Sequence, residues 1–249
     1  MSKPNPSSTA LSSNLGTSTL NTMPPKSLTL ILAATPSLGV GKSGGLPWPQ
    51  LKKEMGYFAR VTKRTSPTSI SEGDAAGQIV EKGRRMNAVI MGRKTWDSIP
   101  ERFRPLAGRV NVVITRDTSA FAKTLKNAQG QEESADSVQS PLVAGSISDA
   151  LQQLQSDKIG VEVDRVMVIG GASIYEQALK LKEAKHVLLT KIQKEYDCDT
   201  FFSEDLEGKN WRKASPEELK EFTGEDFENG IEVEEKDVRF EFCLYNRVE

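Results

Sequence analysis

Arg165-Val-Met-Val-Ile-Gly-Gly-Ala-Ser-Ile-Tyr175 passes from an unbroken apolar run, through two glycines, straight into helical spacing. An apolar run without polar alternation suits a strand covered on both faces, as in a parallel sheet. A helix that begins at the carboxyl end of such a strand opens a crossover connection. The same order recurs at Ala88-Val-Ile-Met-Gly-Arg-Lys-Thr95. Working outward, strand-like runs at 28–34, 88–91, 110–115, 142–144, 165–169 and 186–192 alternate with helical periodicity at 51–62, 93–98, 147–156 and 172–181. The third helix is announced by Ser146-x-x-Asp149, a capping-box-like start. Near the C-terminus Val238, Phe240, Phe242 and Leu244 alternate with Arg239, Glu241, Cys243 and Tyr245, the period of an antiparallel edge hairpin. These patterns predict an α/β fold: a single domain with a mostly parallel sheet of about eight strands, helices on both faces and that hairpin at one edge.

Composition narrows the function classes. The chain has 249 residues with 33 basic and 34 acidic side chains, a net charge of -1. That balance removes the electrostatic argument for nucleic acid or an acidic membrane surface, and a small molecule becomes the expected partner. Two cysteines, Cys198 and Cys243, fit a reducing compartment and packing roles. With His186 as the single histidine, no usual zinc site can be assembled, and that residue reads as a strand-end residue rather than a catalyst. No apolar stretch approaches the ~18 residues of a membrane span, so a soluble, cytoplasmic monomer is expected. Residues 1–26, rich in Ser, Thr, Pro and Asn, read as a flexible leader, and residues 27–249 as the domain. The leader lacks acids, as transit peptides do, but it also lacks their arginines. Met23, just ahead of the ordered pattern, is an alternative start. Polar inserts at about 63–85 and 117–140 lack a sustained apolar period and read as surface loops.

Three motifs bear on chemistry. Leu51, Glu54, Met55 and Phe58 share one helical face, and Gln50, Leu51, Tyr57 and Phe58, three and four residues from Glu54, include no cation. A lone acid in an apolar stripe costs free energy unless something hydrogen-bonds it; the plain reading is a distant segment or the helix edge. Gly39-Val-Gly-Lys-Ser-Gly44 matches a dinucleotide fingerprint after a strand, yet Gly45-Leu-Pro-Trp-Pro49 follows where a helix should start, and Pro36 occupies the first glycine position of a P-loop. What remains is a glycine-rich lid. The junctions at Gly92 and at Gly170-Gly171 are better phosphate sites, because free N–H groups at a helix start lie at the carboxyl end of a buried strand. Arg93, Lys94 and Arg116 add cations at two strand ends.

Taken together these residues resemble the dihydrofolate reductase family, in its eukaryotic, fungal form. The matching blocks are Gly39-Val-Gly-Lys-Ser-Gly-Gly-Leu-Pro-Trp-Pro49, Val89-Ile-Met-Gly-Arg-Lys-Thr-Trp-Asp-Ser-Ile-Pro100, Arg104-Pro-Leu-Ala-Gly-Arg109, Val168-Ile-Gly-Gly-Ala-Ser-Ile-Tyr175 and Asp199-Thr-Phe-Phe202, in family order across residues 27–248. The resemblance implies NADPH-dependent reduction of 7,8-dihydrofolate, by hydride transfer to pterin C6 and protonation of N5 by water admitted through the lid. It implies that Glu54 binds the pterin 2-amino group and N3 with support from Thr190. Ile31, Ala33, Met55, Phe58, Ile99, Leu106 and Ile169 would line the substrate slots, and Arg109 would hold the glutamate α-carboxylate. Leu46 and Trp48 of the lid, and Tyr175 beside the nicotinamide, would complete the catalytic group. NADPH would lie along Ala33, Val40, Gly44, Gly92, Arg93, Lys94, Thr95, Thr115, Arg116, Ser146, Gly170, Gly171, Ala172, Ser173 and Ile174. Arg93, Thr115 and Arg116 would meet its 2'-phosphate, and the Gly170-Gly171 peptide would be cis. Antifolates are the implied inhibitors. Gly45 stands where the family often carries Asp or Asn, and Met55 where phenylalanine is common. Two alternatives stay open: a pyrimidine reductase of flavin synthesis, which would lack the 104–109 block, and a non-catalytic nucleotide-binding module, which would have no use for Glu54.

Overall fold

A computed structural model describes residues 26–66, 84–129, 140–156, 159–227 and 230–248. The first half contains β1 (Leu28–Ala34), β2 (Gly39–Gly41), α1 (Lys52–Lys63), β3 (Arg85–Gly92), α2 (Arg93–Ser98), a 3-10 turn (Glu101–Phe103), β4 (Arg109–Ile114) and α3 (Thr118–Gln129). The second half contains β5 (Leu142–Ala144), α4 (Ile147–Leu154), β6 (Glu162–Val168), α5 (Ala172–Leu179), β7 (Ala184–Ile192), β8 (Thr200–Phe201), β9 (Trp211–Lys213), α6 (Pro216–Thr223), β10 (Glu232–Glu235) and β11 (Val238–Arg247).

The main sheet has the order β10-β11-β7-β1-β6-β3-β4-β5, with β9 also on β11. The six strands from β7 to β5 run parallel, and β11 joins β7 antiparallel, so β10 and β11 form the expected hairpin at the edge. Alternation along each strand sends side chains to the two faces of the sheet, where they join three cores. Leu28, Leu30 and Leu32 face Ile90, Val112, Val168 and the apolar sides of α4 and α5. Ile31, Met167 and Leu188 face α1 through Leu51, Tyr57 and Val61. Val89, Met91 and Val113 pack with Trp96 of α2 and Phe121 of α3. At roughly 1.5–3 kcal/mol for each fully buried aliphatic side chain, the central strands outweigh the ~1 kcal/mol that a helix cap contributes. Sheet packing sets the architecture, and caps trim the ends.

The insert at 117–140 is not all loop. Thr118–Gln129 is helical, with the Asp117 carboxylate accepting from the amide of Ala120 at 2.9 Å, and Phe121 meets Trp96 edge-on at 6.5 Å. Among the described residues only Phe121 and Leu125 reach the core from it, an apolar stripe too short to show as a period in a polar stretch. Residues 130–139 lie outside the described residues, as do 67–83 of the other insert and 1–25 of the leader. Helix α6 was missed despite local signals: Ser215 and Glu218 form a reciprocal capping box, Pro216 follows, and Gly224 ends the helix at φ 66°. Among the described residues no helix is long and apolar enough to cross a membrane.

Helix α1 is held to the sheet by a polar side chain. Asn87 on β3 is wholly buried; its amide donates to the carbonyls of Thr62 (3.1 Å) and Arg64 (2.9 Å), and its oxygen accepts from the amide of Arg165 (3.1 Å). Asn87→Ala removes three hydrogen bonds to backbone groups, one of them the carbonyl of buried Thr62, and is expected to lose about 3 kcal/mol, against about 1 kcal/mol for Ser215→Ala. Urea denaturation measures both; equal losses would contradict the mooring role of Asn87.

Candidate active site

Glu54 lies in the first turn of α1, but the helix does not need it as a cap. The amides of Lys52 and Lys53 donate instead to the two carboxylate oxygens of Glu235, at 2.9 and 2.8 Å, from the edge hairpin. Glu54 is thereby free to turn toward the sheet, where the Thr190 hydroxyl on β7 donates to it at 3.4 Å. Thr190 is buried, and Glu54 as a residue is half-buried with its carboxyl group closely surrounded by protein. Burial raises the carboxyl pKa to about 7, and the Thr190 bond opposes that rise. Among the described residues no cation forms an ion pair with it. The partner from a distant segment is therefore a single long hydroxyl contact, too weak to satisfy a charged carboxylate.

Apolar side chains flank the acid. Ile31 is buried, Ala33, Phe58 and Ile169 are half-buried, and Met55 is exposed. Ile169 packs on the α1 side of the core and also on the α2 side, where half-buried Ile99 and Leu106 lie. A continuous strip of partly covered apolar groups thus leads away from Glu54.

Arg109, the first residue of β4, is only 6% exposed. Its Nη1 donates to the Thr62 hydroxyl at 2.7 Å and its Nε to the Ala107 carbonyl at 3.2 Å. Both acceptors are neutral, and among the described residues no carboxylate pairs with it. Burial lowers its pKa to about 10, which still leaves it charged at neutral pH. The Arg104–Pro105 bond that precedes this block is cis.

On the other side of the sheet's carboxyl end, β3 and β6 finish side by side. The amide of Gly92 donates to the Gly170 carbonyl at 2.7 Å, and that of Ile169 to Ile90 at 2.9 Å. The Gly170–Gly171 peptide is cis, and Gly170 has φ 111°, closed to side chains. A Cβ at Gly92 would meet Ile174 at 3.0 Å, one at Gly170 the Tyr175 hydroxyl at 3.1 Å, and one at Gly171 the Thr95 hydroxyl at 3.3 Å. The starts of α2 and α5 therefore converge. No side chain caps α5, so the amides of Ala172 and Ser173 stand at its open end. Tyr175 is buried and its hydroxyl donates to the Ile31 carbonyl at 2.8 Å, tying α5 to β1. Ser146 caps α4, its hydroxyl accepting from Asp149, and buried Thr115 bonds through its amide to Ala144. Arg93, Lys94 and Arg116 are exposed; Arg93 lies 5.5 Å over Phe121 and 3.5 Å from Asp97.

The lid at 39–48 is pinned at both ends. β2 pairs with β8, Val40 being half-buried between its two paired glycines. Lys42 pairs with Asp197 at 2.9 Å, and the amide of Ser43 donates to Asp199 at 2.7 Å. Lys42 and Gly45 exchange two backbone bonds of 2.9 Å around Gly44, which has φ 81° and open space. The departure at Gly45 is thus met by a turn closed through the main chain. Trp48 is buried with its ring 6.2 Å from that of Tyr196, whereas Leu46 is 56% exposed. His186 lies in β7, its ring nitrogen 2.8 Å from Asn246, as a strand residue.

Sequence reasoning missed Thr62, Asn111 and Glu235. Asn111 holds the turn before Arg109, accepting from the amide of Leu106 (2.8 Å) and donating to the carbonyls of Leu106 (3.0 Å) and Arg109 (2.9 Å). No local spacing marks these residues, because each acts on a group brought to it by the fold.

The raised Glu54 pKa has a stability consequence. A carboxyl whose folded pKa of about 7 exceeds its unfolded value of about 4.5 costs stability that accrues as pH rises from about 4.5 to about 7, is constant above that, and is absent below about 4.5. Glu54→Gln should therefore make the ligand-free protein more stable by up to about 3 kcal/mol near pH 8, with the gain vanishing near pH 4. Thermal melts across pH measure this; a gain independent of pH would contradict the burial of that charge.

A family description, dihydrofolate reductase, matches residues 81–236. The dihydrofolate reductase of Schizosaccharomyces pombe is 38% identical over 236 residues, which is 90% of this chain; the chain spans 47% of that protein's length. That of Pneumocystis carinii is 37% identical over 226 residues, 89% of this chain and 97% of its own. Among solved structures, Schistosoma mansoni dihydrofolate reductase superposes with a TM-score of 0.61 at 29% identity, covering 89% of this chain and 98% of that one. With a family match over more than half its length and a relative matched nearly end to end, this chain belongs to the dihydrofolate reductase family.

Proposed function

We propose that the chain reduces 7,8-dihydrofolate to tetrahydrofolate with NADPH, hydride reaching pterin C6 and a proton reaching N5. The observation that carries this reading is a half-buried carboxyl, Glu54, and a buried guanidinium, Arg109, each without a counter-charge among the described residues. Dihydrofolate offers the complements: an amino and N3–H edge at one end and a carboxylate at the other. Glu54, with Thr190 behind it, would bind the pterin edge and hold the ring in one orientation. The strip from Ile31 and Phe58 through Ile169 to Ile99 and Leu106 would take the flat rings, and Arg109 would grip the tail. The pyrimidine reductase reading leaves Arg109 without purpose, and the nucleotide-module reading leaves Glu54 without one.

The residues at the second half of the site fit NADPH. Gly92, Gly170 and Gly171 sit where Cβ atoms would crowd Ile174, Tyr175 and Thr95, so glycine lets the starts of α2 and α5 pack closely against the ends of β3 and β6. The open start of α5 offers amides to phosphate, and Arg93, Thr115 and Arg116 would hold a 2'-phosphate. When bound, the reduced nicotinamide supplies the hydride. The chain's own part is to hold two flat rings face to face and exclude bulk water. Tyr175, fixed to Ile31, would act as a wall of the slot rather than as an acid, since burial raises its phenol pKa. Glu54 favours a protonated pterin by its charge, while water admitted past the exposed Leu46 delivers the proton to N5. The protein is proposed to work as a cytoplasmic monomer and to be inhibited by antifolates.

Glu54→Gln is expected to slow single-turnover hydride transfer at neutral pH by about 100-fold or more while NADPH affinity changes less than about threefold. Stopped-flow absorbance of the dihydronicotinamide measures the first and fluorescence titration the second; an unchanged rate would overturn the role of Glu54. The double variant Arg93→Ala, Arg116→Ala should reduce the preference for NADPH over NADH by about tenfold or more and leave the KM for dihydrofolate alone. Steady-state kinetics with both cofactors checks this.

A further inference from the structure

A cavity of about 380 Å³ opens at the amino end of the sheet, where β1, β6 and β7 begin and meet the last turn of α6. Thr29 and His186 pair across β1 and β7 in its wall. His186 precedes Thr190 by four residues along β7, about 13 Å of strand, so this is not the slot of Glu54. Two cations line the cavity. Arg165 is half-buried; its Nη1 donates to the Phe222 carbonyl at 2.6 Å, and its guanidinium lies 4.8 Å over the Phe222 ring. Lys26 is half-buried and donates to the Val163 carbonyl. Among the described residues neither forms an ion pair, since the one carboxylate in the wall, that of Asp164, is taken by Arg85 and by the amide of Ser66 at 2.6 Å. Thr29 is only 3% exposed, and among the described residues its hydroxyl has no hydrogen-bond partner. Capping the end of α6 uses one N–H of Arg165 and leaves the rest of its fork unused. Partly desolvated like charges facing one space cost free energy that an anion would recover.

We propose that this cavity is a second ligand site, for a small organic phosphomonoester whose phosphate is held by Lys26, the free edge of the Arg165 fork and the Thr29 hydroxyl, with its organic part against Phe222 and His186. Two uncompensated positive charges match a dianion, and an arginine fork beside a lysine suits phosphate oxygens. The volume suits a small molecule rather than a bare ion. His186 would report the occupant. Its Nδ1 lies 2.8 Å from Asn246 Oδ1 and its ring 4.8 Å from that of Phe222, and among the described residues its Nε2 has no partner. Burial, and then the charges of Arg165 and Lys185, hold its pKa below the usual imidazole range, against the bond from Asn246. The other charged groups of the wall are Lys26 and the Asp164 carboxylate already paired with Arg85. A dianion among them would offset the cations and favour a proton on Nε2. The site and its test stand apart from the dihydrofolate reading.

His186 is the chain's single histidine, so one imidazole proton resonance in the NMR spectrum reads this cavity alone. Phenyl phosphate titrated into the full chain at pH 7 should move that resonance along a saturable curve with a Kd below about 1 mM, and should raise its pH midpoint. Arg165→Gln should weaken binding by about tenfold or more and Lys26→Gln by about fivefold or more. Lys26 precedes β1 and makes no contact with α6 through its hydrogen bond, so its variant keeps the test open should Arg165→Gln fail to fold. No saturation by about 10 mM phenyl phosphate, the same curve from sodium chloride at equal ionic strength, or an unchanged Kd in Lys26→Gln would each overturn the proposal.

Discussion

The site depends on charge that the fold buries and does not neutralise. A carboxylate and a guanidinium held out of water would ordinarily be paired, because desolvation of either one costs several kcal/mol. Here Glu54 is left with one long hydroxyl contact, and Arg109 with a hydroxyl and a carbonyl. The carboxyl responds by favouring its protonated form, whereas the guanidinium keeps its charge throughout the physiological range. Stability is given up at both positions, and a ligand with a donor edge and an acid tail would recover it.

Such an arrangement survives only if the helix bearing Glu54 cannot shift to find partners. Helix α1 is fixed at its start by Glu235, at its end by Asn87, and along its outer side by Glu225, which binds Arg60 at 2.6 Å and Arg64 at 2.8 Å while 95% buried. Tyr57 stacks on Phe242 at 3.9 Å beneath it. These restraints come from β3, from the segment after α6 and from the edge hairpin. The C-terminal elements, which take no direct part in the proposed chemistry, therefore hold the acid in place.

The two glycine junctions express a different constraint, that of space. Gly92 and Gly170 are joined by a hydrogen bond of 2.7 Å, so β3 and β6 end at one level and α2 and α5 start side by side. A Cβ at Gly92 or Gly170 would crowd Ile174 or Tyr175 of α5. The segment 39–48 is held by Asp197 and Asp199 yet leaves Leu46 in solvent.

Much of this was legible in the chain. Periodicity is a local property, so the parallel strands, four of the helices and the edge hairpin could be read directly, and so could the anomaly of an acid on the Leu51, Met55 and Phe58 stripe. Helix α3 escapes because two core contacts make no period, and α6 because only Leu219 and Thr223 of its eight residues are buried. Tertiary structure alone decided what surrounds the charges. Thr190 meets Glu54 across 136 residues, Thr62 meets Arg109 across 47, and Glu235 reaches Lys52 across 183. Hydrogen bonds at such separations leave no spacing rule in a linear chain, because strand order in the sheet, not distance along the sequence, sets which side chains touch.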